Sequence, residues 1–474
     1  MRILLPTGSV TAATVTQAAD ACRGRYEIDV IVTGEIASFL TPVQLQGLIK
    51  DGRYDMVIVS GMCTASFEQV ERDTGVPVYR GPRHAADLGI VLSILETLEL
   101  SRSVPADDFL AARRREEAER TLAQYEEAAS WECMIRGMKV GGNSRIKVLA
   151  EIMDAHRRED LRGEVEQFFA SGADIVDIGF GFDATPDDVA RCFSELEGIT
   201  GPLAVDTQDP ALIEAALVRA DIILSLHEDN IPLVGKAVAD AGAAAVVVPR
   251  RRTLAENIAA AEEAKIACLI ADPLLQPVGS GLVRSIGDFS NVSHPIFFGA
   301  GNVVELLDAD SPGTNALLCG MAHELGASII FTSEHSDKTR GSVAEMRRAT
   351  EMMVLSRDRP YPKDLGLDLL VIKEKRRRRE PPLEYRTFVQ AGPVPAEIEY
   401  DPHGNFRIGI EGAEVVAVIR DRAYRGTSWA EVFFAILAGE EVSLLDHAAY
   451  LGKELYKAEL AIRFGRSFEQ DGPF

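Results

Sequence analysis

Ala267-Cys268-Leu269-Ile270-Ala271-Asp272-Pro273 is an apolar run of strand length that ends on a carboxylate and is stopped by a proline. A loop rich in Gly and Pro follows as far as Gly281. Parallel α/β folds place their chemistry on carboxylates of this kind, at the C-terminal end of a buried strand and facing a loop. The unit recurs on both sides. Further strand candidates are Ile146–Ala150, Ile175–Gly179, Leu203–Val205, Ile222–Leu226, Ala244–Val248, Pro295–Phe298 and Ser328–Thr332. Helical segments rich in Ala and Glu lie between them, such as Leu161–Ser171, Asp187–Leu196 and Pro232–Ala241. Eight alternating β-α units predict a (β/α)8 TIM barrel. A doubly wound open sheet is the alternative. Gly172-Ala173, Gly242-Ala243 and Gly326-Ala327 suit tight helix-to-strand turns with glycine just past the helix end.

The barrel is expected over 145–360, with other segments around it. Residues 1–100 read as a Rossmann-like α/β domain with strands at Met1–Pro6, Ile28–Val32, Met56–Ser60 and Val76–Tyr79. Thr7-Gly8-Ser9 lacks the Gly-x-Gly-x-x-Gly pattern and reads as a strand-to-helix turn, while Arg80-Gly81-Pro82-Arg83-His84 is a compact basic loop. Residues 101–144 read as a connector, a charged helix from 103 to about 136. Residues 361–474 read as a small α+β domain. It holds a hairpin, Arg407–Ile410 with Val415–Ile419, and helices at Ser428–Ala438 and Leu444–Phe464. The basic run Lys373–Arg379 reads as a solvated linker or a clamp on an acidic surface.

The net charge of −23 argues against a nucleic-acid partner. No apolar run approaches the ~20 residues of a membrane helix, and Pro6 and Gly8 break the start before a signal peptide could form. The six cysteines are scattered and never form Cys-x-x-Cys, so neither a disulfide framework nor a zinc site is expected. Cys268 reads as a small buried hydrophobe and the location as cytoplasmic.

Each strand delivers polar residues at its C-terminal end. They are Glu151 with Asp154 and His156, Asp183 after Gly179-Phe180-Gly181-Phe182, Asp206, His227 to Asn230, Arg250 to Arg252, Asp272, Asn302, and the segment from Ser333 to Gly341. Carboxylates suit the amino and ring N–H groups of a polar heterocycle, or a Mg²⁺ ion, for which Glu151 and Asp154 are the candidates. Arg250, His335, Lys338 and Arg340 are the candidates for holding a phosphate or diphosphate. Neither Gly-x-Ser-x-Gly nor a Cys-His pair points to a covalent nucleophile, and no His-Glu-x-x-His points to zinc.

These residues carry a resemblance. Gly172-Ala173-Asp174-Ile175-Val176-Asp177-Ile178-Gly179 resembles the second strand of dihydropteroate synthases. Ala204-Val205-Asp206-Thr207 resembles their third-strand Asp-Thr, and Leu269-Ile270-Ala271-Asp272-Pro273 their sixth-strand Asp-Pro. The likeness to the dihydropteroate synthase-like proteins of tetrahydromethanopterin biosynthesis extends over nearly the whole chain. It includes Gly81–Asp87, Thr339-Arg340-Gly341-Ser342 and His447–Gly452.

The resemblance implies a pterin held by Asp272 and Asp206, with Asn230, Asn302 and Glu151 nearby. It implies a transferase of one-carbon metabolism that condenses a hydroxymethyl-dihydropterin diphosphate with an arylamine, ribofuranosylaminobenzene phosphate. A pterin carrier or methyltransferase subunit without synthase activity is the alternative. The expected assembly is a homodimer. Glu151 stands where the family has a first-strand Asn, and Gly301-Asn302-Val303 where it has Ser-Arg-Lys.

Overall fold

The computed structural model describes residues 1–49, 53–357, 361–363, 365–373, 385–393 and 399–473. The chain divides into two compact units, Met1–Leu369 and Leu370–Phe474. Apart from Lys373, the basic run lies outside the described residues.

The first unit opens with four parallel strands, β1 (Arg2–Gly8), β2 (Glu27–Gly34), β3 (Met56–Val59) and β4 (Val78–Arg80), in the order β2-β1-β3-β4. Apolar clusters cover both faces, one around Leu4 and Val57 and the other around Ile3, Leu5 and Ile58. This burial explains the continuous apolar runs.

The connector departs from expectation. Its helix spans Ala106–Ala128, and the chain then forms a hairpin of β5 (Cys133–Ile135) and β6 (Met138–Val140). Arg136 and Gly137 turn it at φ values of 46° and 83°. Glycine takes such values without strain, and an Arg-Gly pair inside a charged helical pattern is a turn signal that periodicity does not register.

Eight parallel strands then close into a barrel: β7 (Lys147–Ile152), β8 (Ile175–Gly179), β9 (Leu203–Asp206), β10 (Ile222–Leu226), β11 (Ala244–Val247), β12 (Leu269–Ala271), β13 (Ile296–Phe298) and β14 (Ala327–Ser333). β14 pairs with β7, so the ring is complete and the open-sheet alternative falls. Side chains alternate across each strand. Leu149, Ile175, Ala204, Leu224, Ile270 and Phe297 fill the interior. Their neighbours Val148, Val176, Val205, Ile223 and Ala271 pack outward on the helices. Gly172 and Gly242 end their helices in the left-handed conformation, at φ 106° and 70°, as their sequence context predicts.

The cysteine expectation is corrected here. Cys133 of β5 and Cys268, just before β12, form a disulfide across 135 residues of sequence. Ile135 and Val140 of the hairpin pack into the interior cluster with Leu149, Ile175 and Ile222. The hairpin therefore stoppers the barrel at the N-terminal ends of its strands. Spacing alone cannot reveal a pair joined by folding over such a distance.

The second unit contains an antiparallel sheet of β15 (Arg407–Glu411), β16 (Glu414–Ile419) and β17 (Arg422–Gly426), the last beyond the expected hairpin. Val415, Ala417 and Ile419, at strand period, meet Val432, Ile436, Leu451 and Leu455 from two helices, Trp429–Ala438 and Leu445–Arg463. Among the described residues, no helix is long and apolar enough to cross a membrane.

Candidate functional site

Strand parity decides which polar residues enter the barrel. Leu149 faces inward, so Glu151 does too. The same step of two takes Ile175 to Asp177, Ala204 to Asp206 and Ile270 to Asp272. Four carboxyl groups thus stand on interior positions at or near the C-terminal ends of β7, β8, β9 and β12. Glu151 pairs in register with Asp177, and Asp206 with Gly179.

Low polarity and mutual repulsion favour the protonated forms. Burial, and then the charges of Asp206 and Glu305, push Glu151 up to about 7. Asp177 is fully buried and lies well above the usual carboxylate range, because of burial and then Asp206 and Glu151. Neither of its oxygens has a hydrogen-bond partner among the described residues; the Ile178 amide weighs against the rise without reaching bonding geometry. Burial also raises Asp206, opposed by the hydroxyl of Ser225, which donates at 3.2 Å. Asp272 is pushed up to about 7 by burial. The Leu274 amide, donating to Oδ1 at 2.8 Å, resists this, and the charge of Asp206 adds to it.

Two strained residues hold these acids. Ser225 has φ 63° inside β10, where the register with β11 shifts, and Leu274 has φ 68° just after Pro273. Both are non-glycine residues in the left-handed region, a conformation the surrounding structure must impose. Asn230 supports the first of them. It is buried, accepts from the His227 amide at 2.8 Å and donates to the Ser225 carbonyl at 3.4 Å. Asn230 therefore positions the donor to Asp206 from behind.

The residues expected to bind an anion are distributed otherwise. Arg250 meets Asp229 at 3.2 Å and the ring of His227 at 3.0 Å. Arg251 pairs with Glu228 and Asp229. Lys338 pairs with Asp308 at 2.9 Å. Arg340 and Asn302 are exposed. His335 exposes its side chain and donates its amide to Glu305 at 3.0 Å. Glu305 also accepts from Ser333, from Ser336 and, at 2.6 Å, from Thr339. Burial would raise this carboxyl, but the hydroxyl and amide donors outweigh it and hold it below the usual range. An ionised carboxylate thus organises the loop after β14. Glu151, Ser333, Glu334 and His335 line a cleft beside it.

Among the described residues, one group of acids has spacing suited to a metal ion: Glu151, Asp177 and Asp206. Asp154, partly buried with φ 49°, is not in it. Asp177 is the interior residue absent from the candidates drawn from strand ends. Its signal is a carboxylate in the middle of the apolar run Ile175-Val176-Asp177-Ile178.

The family model PterinBD-DUF4346 matches residues 400–471, within the second unit. A dihydropteroate synthase of Yersinia pestis, solved with a pterin–sulfa conjugate, aligns with 48% of this chain and 99% of its own at 20% identity and a TM-score of 0.40. The dihydropteroate synthase of Thermus thermophilus, solved with 6HMPPP, aligns with 44% of this chain and 92% of its own at 18% identity and a TM-score of 0.35. The uncharacterized protein MJ0107 of Methanocaldococcus jannaschii is 32% identical over 519 aligned positions, which cover 99% of this chain and 98% of that one. Such identity, in an alignment that spans both units, shows that this chain belongs to the family of the Methanocaldococcus jannaschii protein MJ0107.

Proposed function

We propose that the barrel binds a reduced pterin through Asp272 and Asp206. The observation that carries this reading is the placement of Asp272. It faces inward and is buried, and one of its oxygens is fixed by the Leu274 amide, with Asp206 as a further interior carboxyl. The pyrimidine edge of a pterin offers an amino group and a ring N–H side by side, a pair that one carboxylate accepts at once. Asp206, steadied by Ser225, would meet another part of the ring system.

The reaction we propose for this site is that of a dihydropteroate synthase-like transferase in tetrahydromethanopterin biosynthesis, in the cytoplasm. The arylamine nitrogen attacks the methylene carbon of a hydroxymethyl-dihydropterin diphosphate, the carbon–oxygen bond breaks and diphosphate leaves. The amine is already nucleophilic, so the site's work is placement of the two substrates. A second reading is pterin binding without synthase activity. The rim favours it: Arg250, Arg251 and Lys338 already hold carboxylates, and ionised Glu305 anchors the loop where departing diphosphate would need cations.

Titration calorimetry with a 7,8-dihydropterin tests the shared premise. Binding is expected, and its absence ends both readings. Incubation with the pterin diphosphate and ribofuranosylaminobenzene phosphate then divides them. A pteroate-type product supports the transferase, and binding without product leaves the carrier.

A further inference from the structure

The register of β7 against β8 sets Glu151 directly opposite Asp177 on the inner face of the barrel. Asp206 stands one inward step further along the adjoining β9. One oxygen from each of the three lies within 4.8 Å of the other two. Like charges placed opposite each other weaken a sheet even at its surface, and these three sit in a packed interior. Asp177 is the sharpest of them. It is 0% exposed, and both its oxygens lack a hydrogen-bond partner among the described residues. The charges that act on it come from Asp206 and Glu151, both acids. No cation is among the groups whose charge acts on it.

A neighbouring carboxylate on the same stretch of chain is satisfied. Asp174, only three residues before Asp177, accepts from Arg145, Arg347 and the Val148 amide. The fold therefore pairs buried acids where pairing serves stability, and it leaves this trio converging on a point. An ion at the centre of a triangle with 4.8 Å sides lies about 2.8 Å from each corner, and modest side-chain rotation brings that to the ~2.0–2.6 Å of Mg²⁺ or Ca²⁺ bonds. The donors are all oxygen, with neither sulfur nor imidazole, which selects hard cations over zinc or copper.

We propose that Glu151, Asp177 and Asp206 together bind one hard divalent cation, of the Mg²⁺ or Mn²⁺ class, inside the barrel. This reassigns the ion from the Glu151–Asp154 pair expected from sequence. The ion shares Asp206 with the proposed pterin, and it binds whether or not that reading holds. Asp206 then bridges the two, accepting from the ring with one oxygen and ligating the ion with the other.

The test uses the full chain, stripped with a chelator and titrated with Mn²⁺ while free Mn²⁺ is followed by electron paramagnetic resonance. One Mn²⁺ per chain is expected, with affinity falling at least tenfold in Asp177→Asn. Circular dichroism establishes that the variant is folded. If it is not, Glu151→Gln is expected to show the same loss. Failure of Mn²⁺, Mg²⁺ and Ca²⁺ each to bind at millimolar concentration overturns the proposal, as does Mn²⁺ binding that survives both substitutions. Dihydropterin calorimetry with and without Mn²⁺ keeps the two ideas apart. Cation binding without pterin binding removes the pterin reading alone, and pterin binding without cation binding removes the cation alone.

Discussion

The two ends of the barrel treat buried charge in opposite ways. At the N-terminal ends of the strands Asp174 is nearly enclosed by Arg145 and Arg347, and buried Lys147 meets Glu126 of the connector helix. Both of these acids have a cation. At the C-terminal ends Glu151, Asp177, Asp206 and Asp272 face the interior and each other, with amides and a hydroxyl as their aids. Both ends pay the desolvation of ions, but only one recovers it within the chain. The paired end serves stability, and the unpaired end is arranged for something that arrives from outside.

Substitutions can break that contrast. The largest effect is expected at the paired end. Asp174→Ala strands two arginines and the Val148 amide, and should cost ~3–5 kcal/mol in a denaturant unfolding experiment. A loss below ~1 kcal/mol would show that water, not Asp174, compensates those arginines.

The unpaired end should respond with the opposite sign. The carboxyl of Asp272 is raised to about 7 in the folded chain, above its unfolded value. Its contribution to stability is fully present below the unfolded pKa and is lost as pH rises through about 7. Asn cannot ionise and escapes that loss. Asp272→Asn should therefore gain ~2–3 kcal/mol over the native chain between pH 5 and pH 8, with chelator present. Parallel stability curves for the two proteins would refute the assignment.

The same substitution should weaken dihydropterin binding by ~1.5–3 kcal/mol in calorimetry at neutral pH, the scale of a charged hydrogen bond. Unchanged affinity would remove Asp272 from the ligand. The smallest effect belongs to the rim. Lys338, paired with an exposed Asp308, should cost under ~1 kcal/mol of stability when replaced by Ala. Dihydropterin affinity should not change with it. A large loss of affinity would place the rim in the pterin site.

The barrel was legible because its strands are buried on both faces and so read as unbroken apolar runs with polar ends. The interior position of Asp206 and Asp272 was legible for the same reason. Asp177 was harder to read. What distinguishes it is the residue opposite it on the next strand, and register is a property of two strands that neither one spells out. The rim misled in another way. Lys338 and Arg250 look available until folding brings Asp308 and Asp229 against them. The hairpin of β5 and β6 was hidden by its short strands and by a cysteine partner far along the chain.

That hairpin also governs traffic. With Ile135 and Val140 lodged among the interior side chains, that end of the barrel is closed, and a ligand would reach the carboxylates from the C-terminal ends of the strands. A cation held by Glu151, Asp177 and Asp206 would have to load before the ring that covers it, and could leave only after that ring had gone. Order of arrival is thus built into the architecture: last in, first out.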